Sequence, residues 1–135
     1  MIEKTLAEFG IPARVTDFRV GPTVTQFAVE PGYVEKEKNG AEGDLARQKV
    51  RVAQISSLAR DLALALSAER LRIEAPVPGR PYVGIEVPNP RASIVRLRPI
   101  LESEAFQKIN SSLAIALGRD VSGQAVAADL ARMPH

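Results

Sequence analysis

The sequence predicts an α+β domain, a mostly antiparallel sheet with one principal amphipathic helix packed across it. Three observations predict it. Short runs rich in β-branched and aromatic residues alternate with Gly-Pro or Pro-rich breaks. One long stretch, residues 52–68, carries an apolar stripe at helical spacing. Two apolar runs near the end flank a turn-rich link.

Taken in order, Ile2, Leu6 and Phe9 lie at helical spacing and Gly10 stops the run, which predicts a short helix. Pro12 then imposes extended backbone. Residues 15–20 and 23–29 read as two strands meeting at Gly21-Pro22, a hairpin. Residues 33–48 are polar and poor in core candidates, and read as an exposed insertion. Val52, Ile55, Leu58, Ala59, Leu62, Ala65 and Leu66 form the helical stripe, which predicts one continuous helix over 52–68. Leu71-Arg72-Ile73 is a short strand. Residues 75–81, with three prolines and Gly79, form a loop. Residues 82–87 return to strand and Pro88-Asn89-Pro90 ends it. Residues 94–101, interrupted by Pro99, read as a strand edge entering a turn, and 102–109 as a short helix. Residues 113–117 and 125–130 read as a hairpin.

The chain has 135 residues and 45% hydrophobic content, enough for one domain with a real core over 1–135. With no cysteine, disulfides and thiolate metal sites are excluded. No apolar run approaches the ~20 residues that span a bilayer, and the first residues lack a signal-peptide core. The expected localisation is cytoplasmic. Net charge is only +2, so any contact with DNA would rest on a local patch and be weak and salt-sensitive. Aromatic residues are 4% of the chain and Trp is absent, which argues against base-stacking platforms.

Few residues invite a catalytic reading. Gly118 to Ala125 has the glycine spacing of a P-loop, but Gln124 and Ala125 stand where the loop needs Lys and Ser or Thr. A hairpin turn explains both glycines. His135 is the only histidine and has no base or nucleophile beside it. Glu102 and Glu104 read as solvated first-turn carboxylates. No catalytic, cofactor or metal site is expected. The candidate contact residues are Arg80, Arg91, Arg96 and Arg98. In extended chain Arg96 and Arg98 would project from one face, suited to phosphates or to a neighbouring subunit's carboxylates. Arg51 and Arg60 read as ordinary exposed helix residues.

Five stretches together resemble one family. They are Gly21-Pro22-Thr23-Val24-Thr25-Gln26-Phe27, residues 55–63 (ISSLARDLA), residues 78–89 (PGRPYVGIEVPN), residues 117–123 (LGRDVSG) and residues 128–135 (ADLARMPH). In order and at compatible distances, they are similar to the FtsK/SpoIIIE DNA translocases. The polar stretch from Tyr33 to Gln48 is a departure, since most relatives connect strand and helix more directly there.

The resemblance implies the α domain that precedes the RecA-like ATPase motor. On that likeness this chain is a non-catalytic fragment ending just before the motor. It implies a homo-hexameric ring around double-stranded DNA, in which the domain packs against its own motor and its neighbours. The role implied is DNA pumping in chromosome segregation at cell division, with ATP and Mg²⁺ held by the motor. It also implies a parent anchored to the inner membrane by an absent N-terminal region. The alternative from the residues is a stand-alone DNA-binding α+β module using the arginines.

Overall fold

The computed structural model describes residues 1–37 and 45–134. The elements run α1 (Ile2–Glu8), β1 (Ala13–Val20), β2 (Val24–Pro31), β3 (Tyr33–Glu37), β4 (Leu45–Lys49), α2 (Val52–Ser57), α3 (Ala59–Ala65), β5 (Arg72–Glu74), β6 (Val83–Pro88), α4 (Leu97–Leu101), α5 (Glu104–Gln107), β7 (Ala114–Arg119) and β8 (Ala125–Asp129). A 3-10 turn follows at Leu130–Arg132. The class is α+β, as the sequence predicts.

The chain divides into two compact units. The first comprises Met1–Phe18 and Gln26–Pro88; the second comprises Arg19–Thr25 and Asn89–His135. β1 therefore begins and β2 ends in the first unit, while Arg19–Thr25, the tip of their hairpin, is counted with the second.

The first unit is built on a four-stranded sheet in the order β1-β2-β6-β5. Three residues join β1 to β2, a connection short enough only for antiparallel strands. β5 and β6 are antiparallel, with Ile73 opposite Ile85. Helix α1 turns Ile2, Thr5 and Leu6 inward, the i, i+3, i+4 spacing of one helical face, and packs against α3. Leu6, Val29, Ile55, Leu62, Val83 and Ile85 are almost wholly buried in one cluster. β3 and β4 pair antiparallel from Tyr33↔Lys49 to Glu37↔Leu45, so the ends of the polar stretch read as an insertion form a strand pair. Residues 38–44, its middle, lie outside the described residues.

The single helix expected over 52–68 is two. α2 ends at Ser57, and Leu58 leaves helical geometry with φ −91° and ψ 12°. The cause is local. The Ser56 hydroxyl donates to the Val52 carbonyl at 3.2 Å and the Ser57 hydroxyl to the Gln54 carbonyl at 2.8 Å. The amide of Leu58 bonds the Ile55 carbonyl, three residues back. Consecutive serines thus compete for the carbonyls that would continue the α-ladder. The apolar stripe survives the break, because Ile55 and Leu62 still reach the core.

In the second unit, α4 and α5 pack on the β7–β8 hairpin, and Ile100 is its most buried apolar side chain. The expected strand edge over 94–101 is instead helix from Leu97. Pro99 is compatible with it because it sits in the first turn, where its missing N–H has no intrahelical partner to lose. The helix expected over 102–109 is the shorter α5. Its Ser103 cap accepts from the Phe106 amide at 3.3 Å.

Replacing Leu62 by Ala should cost about 2–5 kcal/mol of stability in urea unfolding, since its wholly buried side chain leaves a cavity. Replacing Leu64, 83% exposed on the same helix, should change it by less than ~0.5 kcal/mol.

Candidate functional site

The β7–β8 link shows why the P-loop spacing is a turn. The Asp120 carboxylate accepts from the Ser122 amide, the Ser122 hydroxyl and the Gln124 amide, all at 2.8–2.9 Å. Gly123, at φ +82°, takes the left-handed conformation that closes the turn. Arg119 donates to the Gly123 carbonyl at 2.9 Å. The backbone amides of Ser122, Gly123 and Gln124 are spent inside the turn on Asp120 rather than offered as a phosphate cradle. Burial works to raise the Asp120 pKa. The Ser122 hydroxyl, the Gln124 and Ser122 amides and the charge of Arg19 outweigh it and hold the carboxyl below its ordinary range.

The tip of the β1–β2 hairpin meets this turn. A Cβ on Gly21 would lie 2.3 Å from the Val121 carbonyl oxygen, so the approach requires glycine. Asn89 holds the same tip. Its amide side chain donates to the Gly21 carbonyl at 2.9 Å and accepts from the Thr25 hydroxyl at 2.6 Å. Its backbone N–H donates to Thr23 at 2.8 Å, and that of Ser93 to Pro22 at 2.7 Å. Three of the five motif stretches, around Gly21, Asn89 and Asp120, therefore converge in one place.

Next in sequence comes the most exposed apolar run among the described residues. Residues 91–96 form no regular element, and Ile94 (81%) and Leu97 (62%) stand largely in solvent, with Val95 and Leu101 partly so. Arg91, Arg96 and Arg98 flank them and are exposed. The expectation that Arg96 and Arg98 share one face of extended chain is corrected. Arg96 is the extended N-cap of α4, whereas Arg98 lies inside the helix and donates to Glu102 at 3.0 Å. Arg91 and Arg96 make no ion pair with a described residue. Arg80 is exposed in the loop before β6, in the first unit. Sequence reasoning weighed the arginines and passed over Ile94 and Leu97. The signal was there, two large aliphatic residues among arginines without a strand partner in view.

The glutamates are ordinary surface ion pairs: Glu102 with Arg98, and Glu104 with Lys108 at 2.7 Å, a lysine the sequence reading did not bring to them. Arg51 and Arg60 are exposed on or beside the helices. His135 lies outside the described residues. Among the described residues no group of three His, Cys, Asp or Glu side chains could hold a metal ion. An open cleft of about 460 Å³ in the second unit is lined by Lys108, Asn110, Asp129, Arg132 and Met133 among others. Its charges are already committed, Lys108 to Glu104 and Arg132 to Asp129. No helix among the described residues is long and apolar enough to cross a membrane.

The most notable surface among the described residues is the apolar run of Ile94 and Leu97 flanked by arginines. Residues 1–89 match the family model of the FtsK alpha domain, and the chain belongs to that family. It is 46% identical over 99% of its length to the DNA translocase FtsK of Bacillus cereus. It is 44% identical over 99% to the DNA translocase FtsK of Caldanaerobacter subterraneus subsp. tengcongensis, and 42% over 99% to the DNA translocase SpoIIIE of Bacillus subtilis. The chain spans 15–17% of the length of these relatives. The family match ends at Asn89, one residue beyond the end of the first compact unit at Pro88.

Gly21→Ala should destabilise the chain far more than the ~0.5 kcal/mol of an ordinary surface change, read by urea unfolding, because the obstacle is backbone. Asp120 gives a pH signature. Its depressed folded-state pKa makes its stabilisation complete above the unfolded value of ~3.9 and lost as pH falls through the folded one. The stability difference between wild type and Asp120→Asn should therefore be largest near neutral pH and shrink on acidification below that value.

Proposed function

We propose that this chain is the non-catalytic, ring-forming domain of a hexameric, ATP-driven translocase of double-stranded DNA that acts in chromosome segregation at cell division. The observation that carries the reading is identity of 42–46% running across 99% of the chain to proteins named as DNA translocases. On this reading ATP and Mg²⁺ belong to a motor domain elsewhere in a longer protein. The partners are that motor, neighbouring subunits and the DNA in the ring channel. The parent is anchored at the inner membrane, with this domain on the cytoplasmic side.

The residues assigned to subunit contact are Ile94 and Leu97, with Arg91 and Arg96 beside them. Exposed aliphatic side chains gain by burial, and arginine suits carboxylates across a contact. Ring contacts join two different faces, so the partner surface need not resemble this one.

A second reading has the exposed arginines, Arg80, Arg91, Arg96 and Arg98, touching DNA phosphates. It is favoured by the absence of a described carboxylate beside Arg91 and Arg96. The net charge of +2 keeps such contact weak.

The gene beyond the His135 codon should encode a strand and then G-x-x-x-x-G-K-[ST]. In the longer protein, the Ile94→Glu, Leu97→Glu double substitution should convert hexamers to smaller species by analytical ultracentrifugation. It should also lower DNA-stimulated ATP hydrolysis by roughly tenfold or more, the rate cost of ~1.4 kcal/mol. Intact hexamers would shift the assignment to the arginines. Their replacement by Ala should then reduce DNA binding and flatten its salt dependence.

A further inference from the structure

We propose that Asn89 is a latch: its bonds fasten the tip of the β1–β2 hairpin, residues 19–25, within the second unit, and the tip opens as a local unit when they are lost. The argument rests on how the tip is held. Asn89 spends three hydrogen-bonding groups on three different tip residues, Gly21, Thr23 and Thr25. Its side-chain orientation follows from its neighbours, since the NH₂ must face the Gly21 carbonyl and the oxygen must face the Thr25 hydroxyl. Aspartate would lose the donor and set a charge against a carbonyl, whereas leucine would lose both bonds. Ser93 adds one backbone bond, to Pro22.

Apolar burial is shallower there than lower in the hairpin: Val20 is 61% exposed, Thr23 is exposed, and Pro22 and Val24 are only half-buried. Lower in the same hairpin, Ala28 and Val29 are buried, and Val29 belongs to the main core. A segment held mainly by hydrogen bonds exchanges them for water at small net cost, and so opens without unfolding its surroundings. The close approach of Gly21 to Val121 adds to this, because the tip fits its place in one position or not at all. None of this depends on the ring reading.

The test is native-state amide hydrogen exchange on the 135-residue chain, read residue by residue by NMR. In the Asn89→Ala variant the amides at positions 89 and 93, which donate into the tip, should exchange roughly 10- to 100-fold faster. Those of Leu62 and Leu66, bonded within α3 and at its end, should keep their wild-type rates. Thr25→Val removes only the hydroxyl donor and keeps the side-chain shape. It should give a smaller rise at the same two positions, and it serves as the deciding variant if Asn89→Ala does not fold. Equal acceleration at positions 62, 66, 89 and 93 would show general destabilisation and overturn the latch. Unchanged rates at 89 and 93 would overturn it too.

Discussion

Strand β6 is buried at four consecutive residues, Val83 to Glu86, and much of the structure follows from that. Successive side chains on a strand point to opposite faces, so burial in sequence means cover on both. Val83 and Ile85 supply the apolar cover of the main core. Glu86 is the cost, a carboxylate taken almost wholly out of water. Arg72, directly opposite on β5, approaches it at 3.6 Å, and Gln26 donates to it at 3.4 Å. Leaving such a group without partners would cost several kcal/mol, so the pairing of β5 with β6 has a strongly preferred register.

The α+β class and most strands were legible because they rest on local signals: β-branched runs, Gly-Pro breaks and the stripe around Ile55 and Leu62. The misreadings have physical causes of the same scale. A stripe shows which side chains are buried but does not reveal that Ser56 and Ser57 turn their hydroxyls onto carbonyls and divide the helix. Pro99 looked like a breaker, and is one in a helix interior; counting from Arg96 as the cap puts it in the first turn. Once α4 begins at Leu97, Arg96 and Arg98 stop sharing a face. The strands at 33–37 and 45–49 carried no alternation strong enough to stand out from a polar run.

The candidate site was less legible than the fold. Arginine draws notice by its charge, while Ile94 and Leu97 become conspicuous only when nothing among the described residues covers them. The convergence of Gly21, Asn89 and Asp120 is wholly non-local. Each sits in a separate turn, and turn chemistry alone accounts for each in isolation. What joins them is backbone proximity at Gly21 and a carboxamide read from both ends.

The second unit is discontinuous in sequence: seven residues, Arg19–Thr25, stand apart from the segment that begins at Asn89. That has a bearing on ancestry. Domains shuffled between genes as contiguous blocks are joined end to end. A recombination event at codon 88 would strip the later segment of its hairpin tip and leave Asn89 with no Gly21 or Thr25 to bind. The two units are therefore under pressure to descend as one inheritance, and a lineage that exchanged either would have to replace residues 19–25 along with it.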